Sequence, residues 1–172
     1  MVALGVEPPD FRLLEPLAAS LARTFRVPGE VGREWIDVGF SYNAQRGQYW
    51  STAILERLAS MTDGTFRLLG VTPVDLFVPV LTFVFGEAQL TGVCAVVSYA
   101  RLNEEVYGLP AHPELVAERL LKEAVHELGH TFGLRHCDDW RCVMASSHSV
   151  ERLDTKTAEF CTRCACGAAI RP

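Results

Sequence analysis

The stretch His126-Glu127-Leu128-Gly129-His130-Thr131-Phe132-Gly133-Leu134-Arg135-His136 decides the reading of this chain. Residues four apart on a helix lie one above the other on the same face. His126 and His130 can therefore aim both imidazoles at one ion. Glu127 lies about 100° further around the helix, so it can border the ion without ligating it. Gly133 tolerates the left-handed backbone that ends a helix and reverses the chain. A sharp turn there would bring His136 back to the same ion. Three neutral imidazoles and one open position describe a catalytic zinc site, in which zinc activates a bound water. Imidazole donors and undemanding geometry make zinc the expected metal.

Five of the six cysteines crowd into the segment that follows: Cys137, Cys142, Cys161, Cys164 and Cys166. Cys137 and Cys142 are separated by four residues, and Cys161 and Cys164 form a C-x-x-C pair. Two such pairs can build a closed tetrahedral cage, which is structural and contributes folding free energy. Cys166 lies two residues beyond Cys164, so on spacing either could be the fourth ligand. Cys94 sits in an apolar run and reads as a small buried hydrophobe.

Met144 follows His136 by eight residues, and with it the pattern resembles the metzincin metallopeptidases, whose long zinc motif is followed by a Met-turn beneath the metal. His136-Cys137, Cys142-Val143-Met144 and Cys161-Thr162-Arg163-Cys164 resemble one family of that clan, the archaemetzincins. The runs 69–78 and 83–88 also look like that family's central strands. The resemblance implies a compact minimal metzincin without an obvious pro-segment. It implies His126, His130 and His136 as ligands of a catalytic zinc, Glu127 as general base and Met144 as the Met-turn residue. It also implies a second, structural zinc on Cys137, Cys142, Cys161 and Cys164, because the family spacing favours Cys164 over Cys166.

Toward the N-terminus the pattern alternates. Residues 10–25 carry Phe11, Leu14, Leu17, Ala18, Leu21 and Phe25 at helical spacing, with Asp10 as candidate N-cap. Residues 31–40 read as a strand, 42–47 as a turn and 49–61 as a helix. Residues 66–78 read as a strand interrupted at Thr72-Pro73. Residues 82–89 and 92–102 read as an antiparallel pair joined around Leu90-Thr91-Gly92. The longest helix is expected over 112–134, with Pro113 in its first turn. Asp154 is expected to cap a short last helix running through Arg163. This order predicts an α/β sandwich, one mixed sheet with packed helices. A single domain spans 1–172, with a sheet and helix part (1–133) and a Met-turn and structural-zinc part (134–172).

Composition narrows the function. Of 172 residues 49% are apolar and 22% charged, with net charge -5 and no basic run, which argues against nucleic acid. Of the 16 basic residues only Lys122 and Lys156 are lysines. No signal peptide or apolar run of transmembrane length is evident, and clustered thiols suit a reducing compartment, so a cytoplasmic protein is expected, with a monomer as the default. The expected activity is hydrolysis of peptide bonds in a peptide or protein substrate, with the water activated by Glu127. Endopeptidase and aminopeptidase action stay open, with Glu87, Glu104 and Glu105 as acids that could hold a substrate amine. The alternative is a latent zinc protein that binds peptides. The substrate is expected to lie along an exposed edge strand, either 82–89 or 92–102. His148 is a weaker candidate for substrate contact, and Tyr99 or Tyr107 for stabilising the developing oxyanion.

Overall fold

The computed structural model describes residues 1–6 and 11–168, apart from the side chain of Phe11. In chain order the elements are β1 (Val2–Gly5), α1 (Leu14–Phe25), β2 (Trp35–Asp37), β3 (Tyr42–Asn43), β4 (Gln48–Trp50) and α2 (Ser51–Ala59). There follow β5 (Leu68–Thr72), β6 (Leu76–Phe77), β7 (Gly86–Ala88), β8 (Cys94–Ser98), α3 (Pro113–Thr131), α4 (Val150–Thr155) and α5 (Thr162–Gly167). The main sheet has the order β2-β1-β5-β8-β7. Its first four strands are parallel, and β7 runs antiparallel to β8 at the edge. This is the mixed sheet that the alternation of segments predicts. A small second sheet, β3-β4-β6, accompanies it.

The central strands are buried on both faces, which explains their continuous apolar runs. Alternate residues serve opposite layers. Ala3, Leu69, Val71, Ala95 and Val97 pack toward α1 and α3 in one cluster. Val2, Leu4, Leu68, Cys94 and Val96 join Ile54, Leu55 and Leu58 of α2 in the other. Cys94 is thus core, as its surroundings suggest. The first cluster continues through Leu134, Cys137, Val143, Met144 and Leu153, so the cysteine-rich tail packs on the same core as α3.

Several expectations shift in detail. The N-cap assigned to Asp10 lies outside the described residues. The strand expected over 31–40 shrinks to β2, and residues 66–78 divide between two sheets as β5 and β6. The helix expected from residue 49 starts at Ser51, because Gln48–Trp50 pairs with β3 and β6. Asp154 does not cap a last helix. Ser149 caps α4 by accepting from the Arg152 N–H, and Asp154 inside α4 receives both guanidinium arms of Arg119 at 2.8 and 2.6 Å. The strand 92–102 is also not an edge, since β8 lies between β5 and β7. No described helix is long and apolar enough to cross a membrane.

Candidate metal centres and active site

The helix α3 carries the decisive residues and ends where the glycine requires. Gly133 has φ +85°. Its N–H bonds to the His130 carbonyl at 2.9 Å, and the Leu134 N–H bonds to the Gly129 carbonyl at 3.2 Å. That pair of bonds is the Schellman termination. The chain then doubles back and sets His136 beside His126 and His130. One ring nitrogen from each lies within 4.8 Å of the other two.

Hydrogen bonds fix which nitrogens face inward. His126 Nδ1 lies 2.8 Å from the Val143 carbonyl, and His130 Nδ1 lies 2.7 Å from the Leu134 carbonyl. A carbonyl only accepts, so each Nδ1 carries the proton and each Nε2 keeps a lone pair. The two Nε2 atoms are 3.1 Å apart. Two lone pairs at that separation repel unless a cation lies between them. Burial, first of all, pushes the His126 pKa well below its usual value, with Lys156 and His130 adding to the effect. Burial also lowers His130 and His136. All three are thereby held neutral, the state a metal requires. The donor set therefore fits zinc.

Glu127 is buried. Burial chiefly raises its pKa well above the usual carboxylate range, and Glu123 and Glu87 add to the rise. Its stem lies against β7 at Gly86, where a Cβ would come within 2.6 Å of Glu127 Cγ. Met144 is fully buried beneath α3, and a Cβ on Gly129 would lie 2.5 Å from its sulfur. The two glycines thus admit the carboxylate and the methionine. Gly86 escapes a reading of spacings, although glycine inside a strand marks a close approach.

One turn before Glu127, Glu123 also borders the site. Lys156 donates to its carboxylate at 3.0 Å and to the Ala145 carbonyl at 3.2 Å. This buried pair ties α3 to the segment after Met144. Its one advance sign was a lysine kept in an arginine-rich chain. Glu87 borders the cavity too, but β7 turns its side chain to the α2 face. There it accepts from Ser51 at 2.5 Å and Thr52 at 3.0 Å, at the helix N-terminus that favours an anion. Glu104 pairs with Arg119. Neither is placed to hold a substrate amine. Glu105, Tyr99 and Tyr107 are not among the cavity's lining residues, whereas His148 is.

The cavity over the three histidines has a volume of about 710 Å³. Phe83 to Ala88 and residues 146–148 are among its lining residues. The edge strand β7 runs along it.

The second group is Cys137, Cys142, Cys161 and Cys164, whose sulfurs lie within 4.8 Å of one another. Cys166 is exposed and outside the group. Burial raises the Cys137 thiol, but N–H donation from Asp139 and a bond from Arg163 outweigh it and bring the pKa to about 7. Cys142 and Cys164 are raised, first by burial. Four converging sulfurs, three of them buried, suit a closed thiolate site.

The sequence pattern of peptidase family M54 matches residues 21–168. The archaemetzincin of Methanocaldococcus jannaschii is 47% identical over 125 residues, which cover 73% of this chain and 68% of that protein. The archaemetzincin of Methanopyrus kandleri is 49% identical over 124 residues, 72% of this chain and 67% of that one. Among solved structures, the archaemetzincin of Archaeoglobus fulgidus, complexed with malonate, superposes with a TM-score of 0.81 at 40% identity, covering 96% of this chain and 98% of that one. A zinc-dependent peptidase from Methanocorpusculum labreanum superposes with a TM-score of 0.87 at 29% identity, covering 98% and 100%.

Proposed function

The chain belongs to the archaemetzincins, peptidase family M54, and is a zinc-dependent metallopeptidase; from that premise we propose which of its residues do the work. His126, His130 and His136 hold the catalytic zinc, and Cys137, Cys142, Cys161 and Cys164 hold a second, structural one. When bound, the catalytic zinc supplies Lewis acidity toward a water and toward the scissile carbonyl. Glu127 takes the proton of the attacking water and delivers it to the departing amine nitrogen. Val143 and Leu134 hold the imidazoles in the required tautomer through their carbonyls. Met144 packs beneath the histidines as the Met-turn residue.

The observation that carries this reading is the convergence of two Nε2 lone pairs at 3.1 Å beside a buried carboxylate that opens on a cavity. The peptide lies antiparallel along β7, whose outer edge is unpaired in the sheet order. The tail and the sheet act as one domain, an assignment supported by their common core. A cytoplasmic, monomeric enzyme is the accompanying reading; a cluster of four thiols suits a reducing compartment.

Metal analysis of purified variants tests the assignment of roles. Wild type should hold two zinc ions per chain. His130→Ala and Cys164→Ser should each lose one, and Glu127→Ala should keep both while losing turnover. Loss of zinc from Glu127→Ala would count against its role as a non-ligand base.

A further inference from the structure

The carboxylates and guanidinium lining the catalytic cavity belong to Glu87, Glu123, Glu127 and Arg135. Two of these four are held by protein partners, and a third is reserved for the reaction. Glu87 is held by Ser51 and Thr52, Glu123 by Lys156, and Glu127 is buried beside the imidazoles. Arg135 is exposed, and among the described residues it has no ion pair or hydrogen bond. Outside the reacting centre, the cavity therefore offers an incoming ligand one uncommitted fixed charge, and it is positive.

A second observation comes from the segment 146–148 on the same cavity. Ser147 Oγ is buried without a hydrogen-bond partner, alone in this among the buried side-chain nitrogens and oxygens of the described residues. Proteins rarely leave a buried hydroxyl so, because its desolvation goes uncompensated. Its neighbours Ser146 and His148 share only a long contact of 3.5 Å. Leu81, Phe83 and Val84 supply apolar surface to the same cavity. The lining thus combines apolar surface with a guanidinium, an imidazole and two serines, one of whose hydroxyls is unpartnered.

We propose that Arg135, Ser146, Ser147 and His148 form an anion subsite of the catalytic cavity that takes a carboxylate of the peptide substrate. The inference rests on the peptidase reading above and narrows its substrate class. Guanidinium is suited to this task because its planar fork matches a carboxylate. The carboxylate is either an Asp or Glu side chain or the peptide's own C-terminus, and the two sources separate by experiment.

The probes are alanine-based hexapeptides with acetylated N-termini. One series is C-terminally amidated and scans Glu against Gln through every position. A second pair compares the free acid with the amide. Zinc-loaded Glu127→Ala is titrated with each by calorimetry, so binding is read without cleavage. The expected result is one Glu position, or the free acid, that binds about ten- to hundred-fold tighter than its neutral counterpart, the size of a charge-assisted hydrogen bond. Adding Arg135→Gln should bring that ratio close to one, and adding Ser147→Ala should reduce it. Equal affinities throughout, undetectable binding of every peptide, or a preference that survives Arg135→Gln would each overturn the subsite. Wild-type cleavage is followed in parallel. Cleavage without acid preference would leave the peptidase standing and remove the subsite. Acid-selective binding without any cleavage would leave the subsite and remove the turnover.

Discussion

Replacing Gly86 by alanine should cripple turnover while leaving both zinc ions bound. A Cβ at this position would lie 2.6 Å from Glu127 Cγ, 2.9 Å from its Cδ and 2.7 Å from the Val96 carbonyl oxygen. Val96 is a fully buried residue of β8, paired with β5 on one side and β7 on the other, so it cannot recede. The movement falls on Glu127 or on the edge strand. Opening the Cγ contact from 2.6 Å to an ordinary 3.4 Å requires a shift of about 0.8 Å. Misplacing a reacting group by about 1 Å costs on the order of a hundred-fold in rate. Overpacking of this kind costs about 1–3 kcal/mol of stability. The assay is kcat and KM on a quenched fluorescent peptide, with zinc content and a thermal melt on the same samples. The expected variant is folded, holds two zinc ions and has kcat lowered about a hundred-fold. Wild-type kcat in this variant would refute the claim that Gly86 sets the position of the catalytic carboxylate. Loss of zinc would move the effect to the ligands.

Three further outcomes follow from the same geometry. Lys156→Met strands the Glu123 carboxylate, whose ion pair has side chains only 1% and 5% exposed, and should cost about 3–5 kcal/mol in urea unfolding; adding Glu123→Gln should restore most of it. Cys166→Ser should leave zinc content and thermal stability unchanged, because Cys166 lies outside the sulfur cluster. In the metal-free protein, burial raises the Glu127 pKa above its unfolded value of 4.5, so the folded chain binds more protons and stability falls as pH rises through the interval between the two. Apo Glu127→Gln should therefore match apo wild type below pH 4.5 and exceed it increasingly above, as read by thermal melts across pH.

The site was more legible than the frame that holds it. HExxHxxGxxH is local: the three histidines, the glutamate and the turn glycine fall within eleven residues, and the helix with its Gly133 turn brings the histidines together. The Cys pairs were equally plain as pairs; spacing alone left Cys164 and Cys166 both open, and the folded tail brings Cys164 into the sulfur cluster and leaves Cys166 exposed. What spacing could not disclose depends on contacts between distant segments. β1 is four residues long and gains its identity from pairing with β2 and β5. β4 runs straight into α2, so its strand character comes from β3 and β6. The roles of Gly86, Lys156 and Glu87 arise where β7, α2 and the chain after α4 meet α3. Asp154 looked like a cap because caps are local, whereas its partner Arg119 is 35 residues away.

The central claim is tested most directly by incubating zinc-loaded wild type and Glu127→Ala with a mixed peptide library and reading the products by mass spectrometry. Cleavage by the wild type alone, with both proteins holding two zinc ions per chain, is the predicted result. Cleavage by both proteins would contradict the role of Glu127. Cleavage by neither, with the metal in place, would contradict the assignment of catalysis to this site and favour a zinc protein that binds peptides without cutting them.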